Sequence, residues 1–307
     1  MSFQEITDDP KEVQQLESPA YECRDDEGNL IDPMEVDEVP SMPLRPTRGG
    51  GTRVNGETFN KTELDITTNC GYMVHRDYAA HYFKYAFTQG KCEYKKVLEL
   101  GCGSKLPLAH VMSMGEQHVP PTTYVGLDYG KINRDFWMKQ KWVHAYEKVD
   151  ATSQECRDFL DEEYGKFDVV INLEVIEHMV PKKGDELLKT ICNSLADDGI
   201  AIISTPVFNG YQAKNHIYEY TVEELQEKIE RAGMEVVDRY GTFASLPDVK
   251  KAISAEFGGT DAEAALYEIV ERSREFYNNG VIGAFLAPYF PDYSRNNVWI
   301  CKRKEAI

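Results

Sequence analysis

The sequence predicts an α/β fold: a doubly wound, mostly parallel sheet with helices on both faces and a helical insert before the last strand. Three observations carry this. Short β-type runs alternate with amphipathic helical runs at the spacing of βαβ units. The first β-type run ends in a glycine-rich turn, Gly101-Cys102-Gly103, directly ahead of a helix-like segment. The second ends in an acid, Asp128, twenty-nine residues beyond Glu99.

The elements follow in order. HRDYAAHYFKYAF (75–87) places Ala79, Phe83, Ala86 and Phe87 on one helical face with Tyr78 and Tyr82 beside it, an amphipathic helix ahead of the core. KKVLEL (95–100) reads as the first strand, PLAHVM (107–112) as a helix and TYVGLD (123–128) as the second strand. HAYEKVD (144–150) is a third strand, and SQECRDFLDEEY (153–164) a helix with Ser153 as its N-cap. FDVVINL (167–173) is almost continuously apolar, the pattern of a strand covered on both faces. KKGDELLKTICNSLA (182–196) lines up Leu187, Leu188, Ile191, Cys192 and Leu195, with Gly199 as the expected C-cap and IAIISTPV (200–207) as the next strand. TVEELQEKIERAG (221–233) has the strongest local signal. Thr221 and Glu224 form a capping box, Val222, Leu225, Ile229 and Ala232 face inward, and Gly233 ends the helix. MEVVDRYGTF (234–243) and NNVWICKRK (296–304) are the last strands. The roughly fifty residues between them exceed a structureless loop. They contain a helical run, DAEAALYEIVERSREFY (261–277), and an aromatic segment, FLAPYFPDY (285–293).

Charge and composition divide the chain further. Of the net charge of −18, residues 1–40 carry −11, with thirteen acids against Lys11 and Arg24. The remaining 267 residues carry −7, which is ordinary for a globular domain and gives no wholesale basic surface for nucleic acid. The acidic segment is punctuated by Pro10, Pro19, Pro33, Pro40, Pro43 and Pro46 and closes on Gly49-Gly50-Gly51, so it is expected to be a disordered tail. The expected units are that tail (1–51), a helical lid segment (52–94), the core with the glycine turn (95–245), the insert (246–295), and the final strand with the C-terminus (296–307). No apolar run approaches the roughly 18 residues of a membrane span, and the first residues are acidic where a signal peptide is basic. Seven cysteines make no CxxC, no zinc spacing and, being odd in number, no fully paired disulfide framework. A reduced, cytoplasmic chain with no membrane partner is expected.

In this order, VLELGCG (97–103), YVGLD (124–128), EKVDAT (147–152), FDVVINLEVIEHM (167–179) and LADDGIAIISTP (195–206) resemble the class I S-adenosylmethionine-dependent methyltransferases. The resemblance is strongest to the subgroup of quinone biosynthesis and related small-molecule methylation, and it spans about residues 95–243. It implies a Rossmann-like sheet of seven strands with the last antiparallel, and S-adenosylmethionine as cofactor. It also implies methyl transfer to an O, N or C atom of a small or medium acceptor by in-line displacement.

Residue by residue, the resemblance implies that Glu99, Gly101 and Gly103 meet the methionine end of the cofactor and Asp128 the ribose. Asp150 and Ala151 would meet the adenine, while Asn172 and Leu173 would lie below the sulfonium. Arg76, ahead of the first strand, is a candidate partner for the cofactor carboxylate, although a solvated helical face explains it as well. Where the family commonly writes a third glycine, this chain has Lys105, followed by Leu106-Pro107, which implies another loop path or a charged side chain there.

A base is needed only where the acceptor loses a proton, and His178 and His216 are the candidates. A packing role for His178 and a helix-approach hydrogen bond for His216 compete with that reading. Glu177, Tyr218 and Tyr289 are the candidate acceptor-side residues. Phe285, Tyr289, Phe290 and Tyr293 with Tyr72, Tyr78 and Tyr82 suit a lid, or equally a core or subunit interface.

The sequence also disfavours several acceptors. After the fourth strand stands Asn172-Leu173-Glu174-Val175 in place of the Pro-Pro-aromatic motif of exocyclic DNA amine methylation, and there is no Pro-Cys nucleophile. Glu174 and Glu177 lack an obvious partner set, so no metal is expected. The alternatives are an inactive cofactor-binding or regulatory protein on the same fold, and a nucleic-acid or protein methyltransferase whose acidic tail meets a basic partner. A second copy of the chain is a further candidate partner.

Overall fold

A computed structural model describes residues 76–103, 108–109, 112, 119–130, 143–210, 212–213 and 216–304, with 76–80 in backbone only. The acidic tail, Tyr72, Lys105-Leu106-Pro107 and half of the segment predicted as a helix over 107–112 lie outside the described residues. Leu108, Ala109 and Met112 are helical and buried.

The described elements are α1 (Arg76–Cys92), β1 (Lys96–Leu100), β2 (Thr123–Asp128), β3 (Ala145–Lys148), α2 (Gln154–Glu163), β4 (Phe167–Leu173), α3 (Pro181–Ser194) and β5 (Leu195–Pro206). They continue with α4 (Val222–Arg231), β6 (Met234–Phe243), α5 (Leu246–Phe257), α6 (Asp261–Ser273), α7 (Asn279–Leu286) and β7 (Asn296–Arg303). The sheet order is β3-β2-β1-β4-β5-β7-β6. Strands β1 to β5 pair in parallel, and β7 runs antiparallel to both β5 and β6. This is the expected seven-stranded, mostly parallel sheet with its last strand reversed.

Alternation along each strand explains the continuous apolar runs. Leu98, Leu100, Val125, Leu127 and Val170 face one side, where they pack with Cys156, Leu160, Leu187, Leu188, Ile191, Leu225 and Ile229 of α2, α3 and α4. Val97, Tyr124, Val169, Ile171, Ile202 and Val298 face the other, against Tyr85 and Cys92 of α1 with Leu108 and Met112. The insert builds a smaller core of its own from Leu246, Val249, Ile253, Val270, Ile282 and Phe290.

Local signals decide several helix ends. Ser153 Oγ accepts from Cys156 N, and both halves of the Thr221–Glu224 capping box are present. Gly233, at φ +95°, ends α4 as expected.

Two expectations are corrected. Gly199 does not cap α3, which stops at Ser194 because Leu195 turns extended and pairs with Phe167. Gly199 lies inside β5, where a Cβ would stand 2.8 Å from the Phe167 carbonyl oxygen. On α1, Ala86 is exposed and the inward face is Lys84, Tyr85, Thr88, Gln89 and Cys92. A lysine can face inward there because the end of β4 supplies its counter-charge, Glu174. Phe83 and Phe87 lie on the flanks, against Phe285 and Tyr240 at ring-centroid distances of 6.3 and 4.8 Å.

Among the described residues no helix is long and apolar enough to cross a membrane. Cys92, Cys102, Cys156, Cys192 and Cys301 are free thiols, all buried.

Candidate functional site

The strand order changes direction between β1 and β4, and the crevice at the carboxyl ends of the strands there is where an open α/β sheet holds ligands. After β1, Gly101 and Gly103 adopt φ of +79° and +70°, conformations that suit glycine. A Cβ on Gly101 would collide with Val175 Cγ2. Gly101 N and Cys102 N donate to the Leu127 carbonyl at 2.8 and 3.1 Å, which folds the loop back over the end of β2.

Asp128 sits between that loop and the next turn. Its Oδ2 accepts from Gly103 N at 2.8 Å and its Oδ1 from Gly130 N at 2.7 Å, and each oxygen retains a further lone pair. Glu99 is buried at the end of β1 and accepts from the Tyr124 hydroxyl. Burial and then the Glu99 charge push Tyr124 well above the usual phenol range, so it remains a donor. Asn172, fully buried, donates from Nδ2 to the Leu100 carbonyl at 2.9 Å and ties β4 to β1. Its Oδ1 is buried with no hydrogen-bond partner among the described residues.

Asp150 Oδ1 accepts from Thr152 N and Oγ1 at 2.8 and 2.7 Å, and Oδ2 from Lys183 Nζ at 3.3 Å. Burial alone would raise its pKa, but the Thr152 hydrogen bonds and the Lys183 ammonium outweigh it and hold the carboxyl below its ordinary value. Ala151 beside it is half-buried, and Leu173 packs against the second core. Arg76 is the first residue of α1.

Beyond β4 the chain makes a sharp turn. Glu174 has φ +58°, unusual for a residue with a side chain, and a 3-10 turn over Ile176–His178 follows. The Glu177 carbonyl accepts from Ile217 N and Tyr218 N at 2.9 and 3.0 Å, which lashes the segment after β5 to this turn. His178 and His216 consequently meet edge to face, ring centroids 4.9 Å apart. His216 Nδ1 lies 2.7 Å from Oε1 of the fully buried Glu219, which also accepts from Ala213 N at 2.7 Å.

Glu177 is buried as well. Its Oε2 accepts from Thr205 Oγ1 at 3.0 Å, whereas Oε1, 3.8 Å from His178 Nε2, accepts no hydrogen bond among the described residues. Burial first, then the Glu174 charge, pushes Glu177 well above the usual carboxylate range. Glu174 is shifted the other way. Burial would raise it, but the Lys84 ammonium at 2.8 Å, His81 and the Asn296 amide hold it far below the usual range.

Ligand-type atoms of Glu177, His178 and His216 lie within 4.8 Å of one another, so these three could hold a cation. Glu174 and Glu177 have neighbours that their own segment of sequence does not supply. Their partners come from segments distant in sequence, with His216 and Thr205 beside Glu177, and Lys84, Ser204 and Asn296 on Glu174.

The fold gathers Glu99, Gly101, Gly103, Asp128 and Asn172 around the glycine loop, and Glu177, His178 and His216 beyond β4. Tyr218 is tied to the turn after β4 by its backbone N–H, which donates to the Glu177 carbonyl. Its ring packs on Tyr220 and its hydroxyl donates to Glu224 Oε1 at 2.9 Å. Tyr289 is 69% exposed on a 3-10 turn of the insert, and Phe290 belongs to the insert core. Lys84, Thr205 and Glu219 were missed in sequence. Only Glu219 carried a local signal, a carboxylate three residues after a histidine.

Residues 74–239 match the methyltransferase-domain family. Two ubiquinone biosynthesis O-methyltransferases are similar to the chain. That of Brucella anthropi is 30% identical over 175 residues, 50% of this chain and 65% of that protein. That of Agrobacterium fabrum is 30% identical over 170 residues, 49% and 64% respectively. The chain thus spans just under two thirds of the curated relatives it matches. Among solved structures, it is similar to a chain of the complex between the Haloferax volcanii Trm112 methyltransferase activator and the putative methyltransferase. The TM-score is 0.50 at 12% identity, covering 84% of this chain and 99% of that one, a likeness of fold. With the glycine loop, the acid after β2 and the turn after β4 all inside a match that covers more than half of its length, the chain belongs to the methyltransferase-domain family.

Proposed function

We propose that the chain transfers a methyl group from S-adenosylmethionine to an O, N or C atom of a small or medium acceptor, and that a hydroxyl oxygen suits its site best. The cofactor reading is supported by three fits: Gly101 leaves no room for a side chain, Asp128 has spare lone pairs, and the buried Asn172 Oδ1 awaits a donor. Glu99, Gly101, Gly103 and Asn172 would hold the methionine end, Asp128 the ribose, and Asp150 with Ala151 the adenine, with Leu173 at the strand end. When bound, the cofactor supplies an electrophilic methyl group on a sulfonium.

The residues of the chain then have two tasks. They orient the acceptor, which supplies much of the acceleration in an in-line displacement. They also take a proton from an acceptor that must lose one. The observation that carries the hydroxyl reading is the His216–Glu219 pair beside His178. With Nδ1–H directed at Glu219, Nε2 of His216 keeps its lone pair to receive the proton, and the buried carboxylate steadies the imidazolium.

The test is calorimetric binding of S-adenosylhomocysteine, followed by transfer of radiolabelled methyl to a panel of phenols, amines and activated carbon acids. Phenol methylation that falls about 100-fold in His216→Asn fits a general base. Absence of binding overturns the whole reading, and binding without turnover on any acceptor leaves the regulatory alternative.

A second reading places a divalent cation between Glu177, His178 and His216, where it would fix an acceptor oxygen. It is favoured by Glu177 Oε1, a buried acceptor without a donor among the described residues. Mn2+ binding that Glu177→Gln abolishes supports it, and equal turnover with and without chelator removes it.

A further inference from the structure

Lys84 is fully buried on a helix that the apolar pattern alone would turn another way. Burying an ammonium is unfavourable unless a counter-charge meets it, so its orientation is set by its partner rather than by α1 itself. Its Nζ lies 2.8 Å from Glu174 Oε1. That carboxylate also accepts from Ser204 Oγ at 2.8 Å and from Asn296 Nδ2 at 3.0 and 2.8 Å, while Glu174 N donates to the Ser204 carbonyl at 2.9 Å. One side chain therefore joins α1 to the ends of β4, β5 and β7.

Glu174 occupies the point where the chain must turn out of the sheet, and it does so in the left-handed region. Its immediate neighbour, Val175, stands against Gly101 of the glycine loop. Three residues on, Glu177 faces the two histidines. A displacement of Glu174 thus moves both halves of the site at once. The flanks of α1 rest on Phe285 and Tyr240 through aromatic contacts that do not involve Lys84. The helix can therefore stay docked if the ion pair is lost, while the turn it steadies does not.

We propose that Lys84 is a positioning residue: through its ion pair with Glu174 it holds the turn after β4 in the left-handed geometry that sets Val175 over the glycine loop and Glu177 beside the histidines. The link to ligand binding rests on the cofactor reading above.

The test compares Lys84→Met, Lys84→Arg and the double variant Lys84→Met/Glu174→Gln in the full chain. The readouts are thermal midpoint, hydrogen exchange of the amides of residues 173–178, and affinity for S-adenosylhomocysteine. Lys84→Met is expected to raise exchange in 173–178 at least tenfold, with α2 and α4 unchanged, and to weaken binding at least tenfold. Lys84→Arg should restore both to within about threefold, since it keeps the charge. The double variant removes the stranded carboxylate and should recover the thermal midpoint, yet keep fast exchange and weak binding because the tether is gone. Normal exchange in Lys84→Met, or recovery of exchange along with the midpoint in the double variant, overturns the proposal. Should the wild type fail to bind S-adenosylhomocysteine, the cofactor reading falls, and the exchange comparison still decides the role of Lys84.

Discussion

His216 and Glu219 are joined Nδ1 to Oε1 at 2.7 Å, with the carboxylate fully buried and the imidazole at the edge of the turn that carries His178. Glu219 has the geometry of an orienting group, because a neutral His216 directs its Nδ1 proton at Oε1 and leaves the lone pair on Nε2. Glu219→Gln keeps a hydrogen bond but not the charge. It is expected to lower methylation of a hydroxyl acceptor about 10- to 100-fold while leaving S-adenosylhomocysteine affinity within about twofold. Steady-state rates and calorimetry on the same sample check this, and a parallel loss of affinity would contradict it.

Asp128 receives an N–H from each of two loops, so its loss acts on loop geometry and on the ribose contact together. Asp128→Ala should weaken S-adenosylhomocysteine binding at least tenfold, measured by calorimetry. An unchanged dissociation constant would show that the ribose lies elsewhere.

Gly101 combines φ +79° with a position where any added Cβ would collide with Val175 Cγ2. Gly101→Ala should cost about 1–3 kcal/mol through backbone strain, with a steric cost added. Val175→Ala in the same chain should relieve the steric part and leave the backbone part. Denaturant unfolding of the single and double variants separates the two, and full recovery in the double variant would show that the φ constraint is negligible.

Asp150 is held below its ordinary carboxylate value in the folded chain, so the stability it contributes is complete above about pH 4, the unfolded value. That contribution is lost as pH falls through the lower, folded value. Asp150→Asn should therefore unfold with a shallower acid limb below about pH 4 and show little change at neutral pH beyond the lost Lys183 contact. Circular dichroism across an acid titration follows both chains, and superimposable limbs would refute the assignment.

Where interactions are local, the sequence alone was sufficient. The Thr221–Glu224 box spans three residues, the Ser153 cap spans three, and the glycine turn sits next to its strand, so each is written in adjacent letters. Strand–helix alternation likewise determined the doubly wound class, and five ordered segments carried the family resemblance. Those segments could not say which face of α1 turns inward. The apolar residues of that helix suggested one face, and the carboxylate ninety residues away selected another. The end of α3 was displaced for a similar reason, since pairing of Leu195 with Phe167 outweighed the local preference of Gly199.

The tertiary structure alone decided what surrounds the turn after β4. Glu174 meets Lys84 from ahead of the sheet and Asn296 from its last strand, and His178 meets His216 across the carbonyl of Glu177. Buried charges and imidazoles are stable only where opposite charges and donors converge on them. That convergence is a property of the assembled sheet and not of any stretch of sequence.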